Sequence, residues 1–438
     1  MSDARANYKA EMKAMEQAVL DGELSIAEFA CTKIDGSIER MREKNPDLLW
    51  TMEIQKFMWD GYRDAHKNGK KLVFYTGSVP TEIIAAFDCV GYYMDTIPFR
   101  LSTNPAITAK YIDEAEKVVA PTMCGLNKTE LGAWLSGAYG FKPDMYVYNS
   151  VPCDSSRLMA PALENVMGVP AFSFDTPFRR DERGAEYLAD QMEDFVDFME
   201  EQTGKKLDWD KLKYYMENAN RNFDLQKKCA DLRKIKPCPL PGRLLVLNGS
   251  TNAVACYPIM GDLLQSELEM GQMMVDMGMG ACPDEKYRVA MLQNMIWGAA
   301  SIMDWMEKEY NAVAVMDAFG FQGDIMYEHM DDRRDCFKVM GKKMQNNPMI
   351  HGASGPSEFH LELVKHIFEN YDPNVSMFLG HVGCKHTWAS AKMISDTIQD
   401  KYGIPTLYLD LDAIDGRYKS NDEVKVQIAE YFETVVMK

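Results

Sequence analysis

The chain has 438 residues, of which 46% are hydrophobic and 26% charged, and its formal net charge is −18. This length exceeds one ordinary hydrophobic core and predicts two to three domains. The composition is typical of a soluble globular protein, and the acidic balance argues against nucleic acid or an anionic membrane as the main partner. An anionic small ligand stays open, because helix N-termini and a few lysines can create a local positive site.

We expect neither a membrane-spanning nor an export segment in this sequence. No run approaches about 18 uninterrupted apolar residues, so we expect no transmembrane helix, and the charged N-terminus has no apolar signal-peptide core. We therefore expect a cytoplasmic protein. In that compartment its ten cysteines are expected to be thiols or metal ligands rather than disulfides.

Residues 1–70 predict a helical N-terminal region, since apolar side chains recur at helical spacing among charges. Lys71–Tyr75 then predicts a short strand, and Pro80 is suited to the first position of the helix that follows. Glu82 falls in the first turn of this helix, where the macrodipole favours a carboxylate, so a capping role competes with a catalytic one. Ser78 is likewise a candidate helix cap.

Strands followed by turn-forming residues recur along the chain. They are predicted at Met145–Tyr148, Pro170–Phe174, Leu244–Leu247, Ala312–Met316, Ser376–Leu379 and Thr406–Leu409. Strand–helix–strand units of this length predict parallel, right-handed layers. We therefore predict an α/β fold with two Rossmann-like (flavodoxin-like) parallel-sheet lobes.

A helical segment separates the two predicted lobes. Apolar side chains line one helical face after residue 181, Gly204 and Asp208 are suited to end one helix and cap the next, and prolines break the chain near residue 240. The predicted domains are a helical N-terminal region at 1–70, a first α/β lobe at 71–180, a helical connecting segment at 181–240 and a second α/β lobe at 241–438.

Three stretches place reactive residues where a predicted strand ends and a helix begins. They are Tyr75–Glu82, Ser150–Asp154 and Gly380–His386. Ligands of open α/β domains bind outside the carboxyl ends of the strands, so we expect these stretches to meet at one site. Two of them carry Cys153 and Cys384, and Cys124 lies earlier in the chain. These cysteines either hold a metal cluster or are ordinary buried thiols.

Several standard site motifs are absent from the sequence. It contains no Gly-x-x-x-x-Gly-Lys-Ser/Thr loop, no Gly-x-Gly-x-x-Gly after a strand, no His-Glu-x-x-His helix and no Gly-x-Ser-x-Gly elbow. His381 and His386 have a poor spacing for two ligands on one helical face, and each has either a structural role or a contact with substrate. The cysteines also lack the dense spacing of ferredoxins, so iron–sulfur ligands would have to converge from distant parts of the chain.

Four stretches occur in an order that is known from one protein family. Tyr75–Asp88 contains a strand, small residues, a Pro-x-Glu sequence and a helix, and Cys124 and Cys153 follow it. Cys384 lies in His-Val-Gly-Cys-Lys and is followed by the Asp-rich stretch Asp410–Arg417. In this order and at comparable spacing the stretches resemble the 2-hydroxyacyl-CoA dehydratase and benzoyl-CoA reductase family. The last part of this pattern, Cys384-Lys385 followed by Asp-x-x-Asp-x-Arg at residues 412–417, is more like the α-type, substrate-binding subunit than its β-type sister.

The resemblance spans roughly residues 70–420 and implies a cofactor and partners. It implies that Cys124, Cys153 and Cys384 bind one 4Fe–4S cluster with one open iron, which can act as a Lewis acid on a substrate oxygen. It also implies a sister subunit in a heterodimer, a separate ATP-dependent iron–sulfur activator protein and an acyl-CoA substrate. Whether a flavin also binds stays open.

The resemblance further implies a hydro-lyase activity. An (R)-2-hydroxyacyl-CoA would lose water to give the 2-enoyl-CoA through a ketyl radical, which one electron from the activator starts. Two alternatives stay open. One is a benzoyl-CoA reductase subunit, which retains the electrons in its product, and the other is a non-catalytic iron–sulfur or structural subunit of such a complex.

For proton transfer the resemblance points to a serine beside the Pro-x-Glu sequence and to a carboxylate after the following helix. Ser78 matches the serine, although the stretch from Ser78 to Pro80 is one residue shorter than in relatives. Asp95 falls near the position where relatives often carry Glu, and its shorter side chain has less reach. Ser78, Asp95 and Glu82 are therefore the predicted catalytic residues.

Overall fold

A computed structural model of the chain describes residues 2–44, 46–94, 96–249, 254–293, 300–318, 325–353 and 355–438. It shows an α/β fold with two parallel sheets of four strands each. The predicted fold class of two Rossmann-like lobes is confirmed. None of the described helices is both long and apolar enough to cross a membrane.

The first sheet has the order β2-β1-β3-β4. Its strands are β1 (Leu72–Tyr75), β2 (Val90–Tyr93), β3 (Met145–Asn149) and β4 (Ala171–Phe174). The helices between and beside them are α4 (Thr81–Ala86), α5 (Thr96–Leu101), α6 (Pro105–Ala115), α7 (Gly125–Leu135) and α8 (Asp154–Met167). Both faces of this sheet are covered, which explains why β1 and β3 are nearly continuous apolar runs.

Successive residues of β1 enter different hydrophobic cores, because side chains alternate across a strand. Leu72 and Phe74 pack with the N-terminal helices α1 (Ser2–Asp21), α2 (Ile26–Lys44) and α3 (Trp50–Asp64). Val73 and Tyr75 pack in the core on the opposite face. The connecting helices α9 (Glu182–Thr203) and α10 (Trp209–Leu232) cover that face.

The second sheet has the order β6-β5-β7-β8. Its strands are β5 (Tyr287–Gln293), β6 (Ala312–Asp317), β7 (Val375–His381) and β8 (Thr406–Leu411). The other helices in this half are α11 (Arg243–Gly249), α12 (Pro258–Asp276), α13 (Ala300–Tyr310), α14 (Arg333–Asn346), α15 (Ser357–Tyr371), α16 (Lys385–Tyr402) and α17 (Asn421–Tyr431). All seven residues of β7 are buried, as expected for a central strand covered on both faces.

The prediction of a strand at Leu244–Leu247 is wrong, because this segment belongs to helix α11. A run of four apolar residues has no period that separates a buried helix from a buried strand. Here Pro241 and Gly242 accept the first turn-forming hydrogen bonds through their carbonyl groups. The limits predicted for the four domains stay a prediction.

Candidate functional site

Two of the three cysteines predicted as cluster ligands lie at the carboxyl ends of the sheet strands. The strand order reverses between β1 and β3 in the first sheet and between β5 and β7 in the second. Cys153 follows β3, and Cys384 follows β7. Open α/β sheets bind ligands at such reversal points, because the loops on either side diverge and leave a crevice.

Each of the three cysteines is the N-cap residue of a helix. Cys124 precedes α7, Cys153 precedes α8 and Cys384 precedes α16. The Cys153 sulfur accepts a hydrogen bond from the backbone N–H of Ser156 (3.5 Å). A helix N-terminus carries a partial positive charge, which stabilises a thiolate. This backbone arrangement suits three anionic sulfur ligands.

The three cysteines line one cleft that encloses about 1240 Å³, including the solvent at its mouth. Ser78 lies on the same wall. Much of the remaining wall is apolar and consists of Met94, Phe99, Leu126, Leu158, Met349 and Ile350. The structure thus brings together four of the six predicted site residues, and the predicted convergence of distant cysteines is present in the fold.

Two glycines let the loops of this cleft approach each other closely. A Cβ atom at Gly383 would lie 2.7 Å from the Cα atom of Cys124, so backbone meets backbone between the two lobes. Gly77 has a φ of +75°, and a Cβ atom there would lie 2.8 Å from the carbonyl oxygen of Val151. Side chains at either position would separate the loops that carry the cysteines and Ser78.

Hydrogen bonds hold the Cys124 loop against the first turn of α8. The backbone N–H of Cys124 donates to the Ser155 hydroxyl oxygen (3.2 Å), and the Asn127 side-chain amide donates to the same oxygen (2.8 Å). Across the cleft, the backbone N–H of Asp154 donates to Nε2 of His386 (3.1 Å). This bond connects the first turns of α8 and α16, which follow Cys153 and Cys384 in the chain.

His381 is fully buried at the end of β7, next to the Cys124 sulfur. The backbone N–H of Ala413 donates to its Nδ1 atom (3.1 Å), so the neutral imidazole carries its proton on Nε2. Nε2 lies 3.1 Å from the Cys124 Sγ atom and therefore donates to the sulfur. Of the two roles left open for His381, the structure favours the structural one, because the side chain is buried and does not line the cleft.

Burial and mutual repulsion disfavour three separate thiolates in this cleft. Burial, with smaller contributions from the Cys124 and Cys384 thiolates, raises the pKa of the Cys153 thiol to about 12. Burial and the Cys124 thiolate also raise the pKa of Cys384. A positively charged metal group between the sulfurs would reverse this balance, since metal coordination deprotonates a thiol outright.

The type of donor in the cleft is the one that binds iron–sulfur clusters. Among the described residues, no group of three His, Cys, Asp or Glu side chains is placed to hold a single metal ion, and none of the three cysteines forms a disulfide bond. Cysteine thiolates are the usual ligands of a 4Fe–4S cluster, and here three cysteines, each at a helix N-terminus, line one cleft. The residues present therefore fit such a cluster, with Cys124, Cys153 and Cys384 as its holders.

Glu82 lies in a neighbouring cavity and not in the cysteine cleft. Its Oε1 atom accepts hydrogen bonds from the Tyr327 hydroxyl (2.8 Å) and from the Lys343 ammonium (3.1 Å), both of which belong to the second half of the chain. Burial alone would raise the pKa of Glu82, but the Lys343 charge and these bonds outweigh it and hold the pKa below its usual value.

Ser78 does not cap α4, because Pro80 is the N-cap residue, but Glu82 lies in the first turn of this helix as predicted. The predicted helix end at Gly204 and the predicted cap at Asp208 are both observed. Ser78 instead lines both cavities, as does Asn347. The cavity that holds Glu82 has about 1090 Å³, including open solvent. Asp95 lies outside the described residues. The catalytic roles assigned to Ser78, Asp95 and Glu82 stay predictions.

Comparison with known proteins identifies the family. The family model for 2-hydroxyglutaryl-CoA dehydratase, D-component, matches residues 76–435. The chain belongs to this family. The match covers the three cleft cysteines as well as Ser78 and Glu82, so the resemblance predicted from the ordered stretches is confirmed.

Individual members of the dehydratase family are distant in sequence. A benzoyl-CoA reductase subunit of Thauera aromatica is 20% identical over 423 residues, which cover 90% of this chain and 97% of that protein. The alpha subunit of lactoyl-CoA dehydratase of Anaerotignum propionicum is 22% identical over 288 residues, or 63% of this chain and 65% of that protein. The alpha subunit of (R)-2-hydroxyglutaryl-CoA dehydratase of Acidaminococcus fermentans is 26% identical over 115 residues, 24% of each chain.

Proposed function

We propose that the chain is the iron–sulfur subunit of a 2-hydroxyacyl-CoA dehydratase, which converts an (R)-2-hydroxyacyl-CoA to the 2-enoyl-CoA and water. The observation that carries this proposal is the meeting of Cys124, Cys153 and Cys384 in one cleft, within a chain of the dehydratase family. When bound, a 4Fe–4S cluster supplies one-electron chemistry and an open iron for a substrate oxygen.

The chain's own residues contribute holding, positioning and exclusion of water. The thiolates of Cys124, Cys153 and Cys384 hold the cluster, and His381 donates its Nε2 proton to the Cys124 sulfur. The apolar wall of the cleft limits the access of water, which protects a substrate radical from side reactions. Ser78 lines the same cleft and, among the residues that the structure describes, is the candidate for transferring a proton.

The proposed reaction needs radical chemistry because the β-proton of an acyl thioester is very weakly acidic. One electron delivered to the thioester carbonyl gives a ketyl radical anion, which expels the α-hydroxyl group as hydroxide, and a proton taken up by this hydroxide makes water. The resulting enoxy radical has a far more acidic β-proton. Loss of that proton gives the ketyl radical of the enoyl-CoA, from which the electron returns to the enzyme. The electron would come from a separate ATP-dependent iron–sulfur activator, and a sister subunit would complete a heterodimer.

The cluster assignment is tested by iron and sulfide analysis after anaerobic purification with the co-expressed sister subunit. We expect about four irons per chain, and we expect their loss in Cys124→Ala, Cys153→Ala and Cys384→Ala. Cys282→Ala is the matched control, because Cys282 is a buried thiol outside the cleft. Wild-type protein with almost no iron, or cleft variants with unchanged iron, would contradict the assignment.

A benzoyl-CoA reductase subunit is the second candidate, and the relative that spans 90% of this chain bears that name. The two functions differ in the fate of the electrons. Lactoyl-, 2-hydroxyglutaryl-, 2-hydroxyisocaproyl- and phenyllactoyl-CoA should each be tested for loss of water, and benzoyl-CoA for net reduction. If no substrate reacts and none changes the cluster's spectrum, the chain is a non-catalytic subunit.

A further inference from the structure

Three basic side chains lie near one another outside the cleft, where hydrogen bonds of Lys33 hold α2 against the chain after α5. Lys33 and Arg40 lie on one face of α2, seven residues apart, and Arg100 lies in the last turn of α5. All three are half-buried. Burial and the positive charges of Arg100 and Arg40 lower the pKa of Lys33 to about 8. We call these three residues the basic cluster.

Both guanidinium groups of the basic cluster contain buried nitrogen atoms without an acceptor. They are Nε and Nη2 of Arg100 and Nη1 of Arg40. The other terminal nitrogen of Arg40 donates to the Ser37 hydroxyl (2.9 Å), and the guanidinium carbon of Arg40 lies 4.0 Å from the Tyr8 ring centroid. Neither contact neutralises charge.

Lys33 is held by neutral oxygen atoms. Its ammonium donates to the Thr103 hydroxyl (2.9 Å) and to the side-chain carbonyl of Asn104, which fixes α2 against the chain after α5. Glu16 acts on the charge of Lys33 only from a distance, and burial together with Arg40 lowers the pKa of Arg100 to about 10. In the part of the chain that the structure describes, no carboxylate forms an ion pair with the cluster.

Buried cations without a counter-charge are unfavourable. Buried hydrogen-bond donors in folded proteins generally have a partner, so donors that lack a protein acceptor are expected to bind a water molecule or an ion. A guanidinium presents parallel N–H groups that match an oxyanion, and a lysine adds a point charge. The oxygen atoms of a tetrahedral dianion point in several directions and can accept hydrogen bonds from donors on two different helices. A carboxylate has only two oxygen atoms, and both lie in one plane. We propose that Lys33, Arg40 and Arg100 form a binding site for a phosphoryl group.

The basic cluster lies outside the cysteine cleft, and its binding of phosphate can be tested without the proposed activity. The phosphoryl group could be free phosphate or part of a nucleotide, as in coenzyme A. The probe is therefore inorganic phosphate, added to the full chain in a chloride buffer of constant ionic strength, with thermal unfolding and calorimetry as readouts. We expect phosphate to raise the unfolding midpoint of the wild-type protein, because it binds the folded state only.

Arg100→Met and Lys33→Met should each weaken phosphate binding about tenfold or more, since each removes a charged hydrogen-bond donor. Arg183→Gln is the matched control, because Arg183 is an exposed arginine of α9. Arg100→Met should fold normally in phosphate-free buffer, because replacing an uncompensated buried cation by an apolar side chain is not destabilising.

Coenzyme A, with phosphate as competitor, distinguishes the two sources of the group. Binding of coenzyme A that phosphate competes with and Arg100→Met weakens would assign the site to a nucleotide phosphate, and a response to phosphate alone would assign it to the free anion. The proposal is overturned if phosphate stabilises the wild-type protein no more than chloride does. It is equally overturned if Arg100→Met binds phosphate as tightly as the wild-type protein.

Discussion

His381 shows how one buried side chain can tune the candidate cluster site. Its neutral tautomer is fixed by the Ala413 N–H, and its Nε2–H faces the Cys124 sulfur. Groups that orient a metal ligand in this way change metal affinity by about 10- to 100-fold when they are removed. The sequence shows that His381 lies near Cys384 in the chain, but it could not predict the contact with Cys124. That contact depends on how the two lobes pack.

Replacing His381 by Phe is therefore expected to speed the loss of iron to a chelator, with a matching fall in iron content after purification. The bulk of the ring is kept, but the donor to the Cys124 sulfur is lost. His329→Gln is the control, since His329 is exposed and lies outside the cleft. Iron loss at the wild-type rate in His381→Phe would show that the hydrogen bond has no part in holding the cluster.

Gly383 is a second residue that shapes the candidate site, and its role is steric. In Gly383→Ala the new Cβ atom would meet the Cys124 backbone at 2.7–3.0 Å. Because neither backbone can move freely, we expect a loss of about 1–3 kcal/mol in the free energy of unfolding, and a lower iron content. Gly61→Ala is the control, as its nearest neighbour, a Val90 methyl group, is 3.7 Å away. Denaturant unfolding of both variants checks the prediction, and equal stabilities would contradict it.

At the scale of elements, the apolar pattern predicted β1, β3, β4, β6, β7 and β8, but two other strands were not identified from it. β2 is short and contains Gly91, which weakens the strand signal. β5 contains Arg288, which is nonetheless buried, because it donates to the carbonyl groups of Arg233, Ile235 and Tyr371 and pairs with Glu285. The three carbonyl partners come from distant parts of the chain, so the pattern of β5 alone could not predict its burial.

Helices α4 and α14 are joined by the ion pair between the buried Glu82 and the partly buried Lys343 (3.1 Å). Lys343→Met would leave the Glu82 carboxylate buried without its counter-charge, which is expected to cost about 3–5 kcal/mol of stability. The double variant Glu82→Leu, Lys343→Met should recover part of this loss. A double-mutant cycle from denaturant unfolding measures the coupling, and losses that simply add would argue against a stabilising pair.

The same pair gives a signed pH dependence. The pKa of Glu82 is lower in the folded chain than its ordinary value of 4.5, so the pair contributes fully above that value. The contribution is lost as the pH falls from about 4.5 through the lowered folded pKa. The difference in unfolding free energy between the wild-type protein and Glu82→Gln should shrink over this acidic window. A difference that stays constant down to the folded pKa would contradict the assignment.

Over the whole molecule, the candidate ligands come from both lobes, with Cys124 and Cys153 in the first and Cys384 in the second. The sequence predicted this set through the order of its motifs. It did not show how the lobes meet, because Gly383, the His386 contact with Asp154 and the Glu82 pair all depend on contacts between residues more than 200 positions apart. A bound cluster would connect the two lobes at this point.

Removal of the cluster should therefore lower the stability of the whole chain, because a group that binds only the folded state stabilises it by mass action. We expect the iron-loaded protein to unfold at a higher temperature than the chelated protein under anaerobic conditions. Cys153→Ala and Cys384→Ala should each abolish this difference, although they lie in different lobes, and Cys282→Ala should retain it. If Cys384→Ala kept the full difference, the group would be held by the first lobe alone and could not connect the lobes.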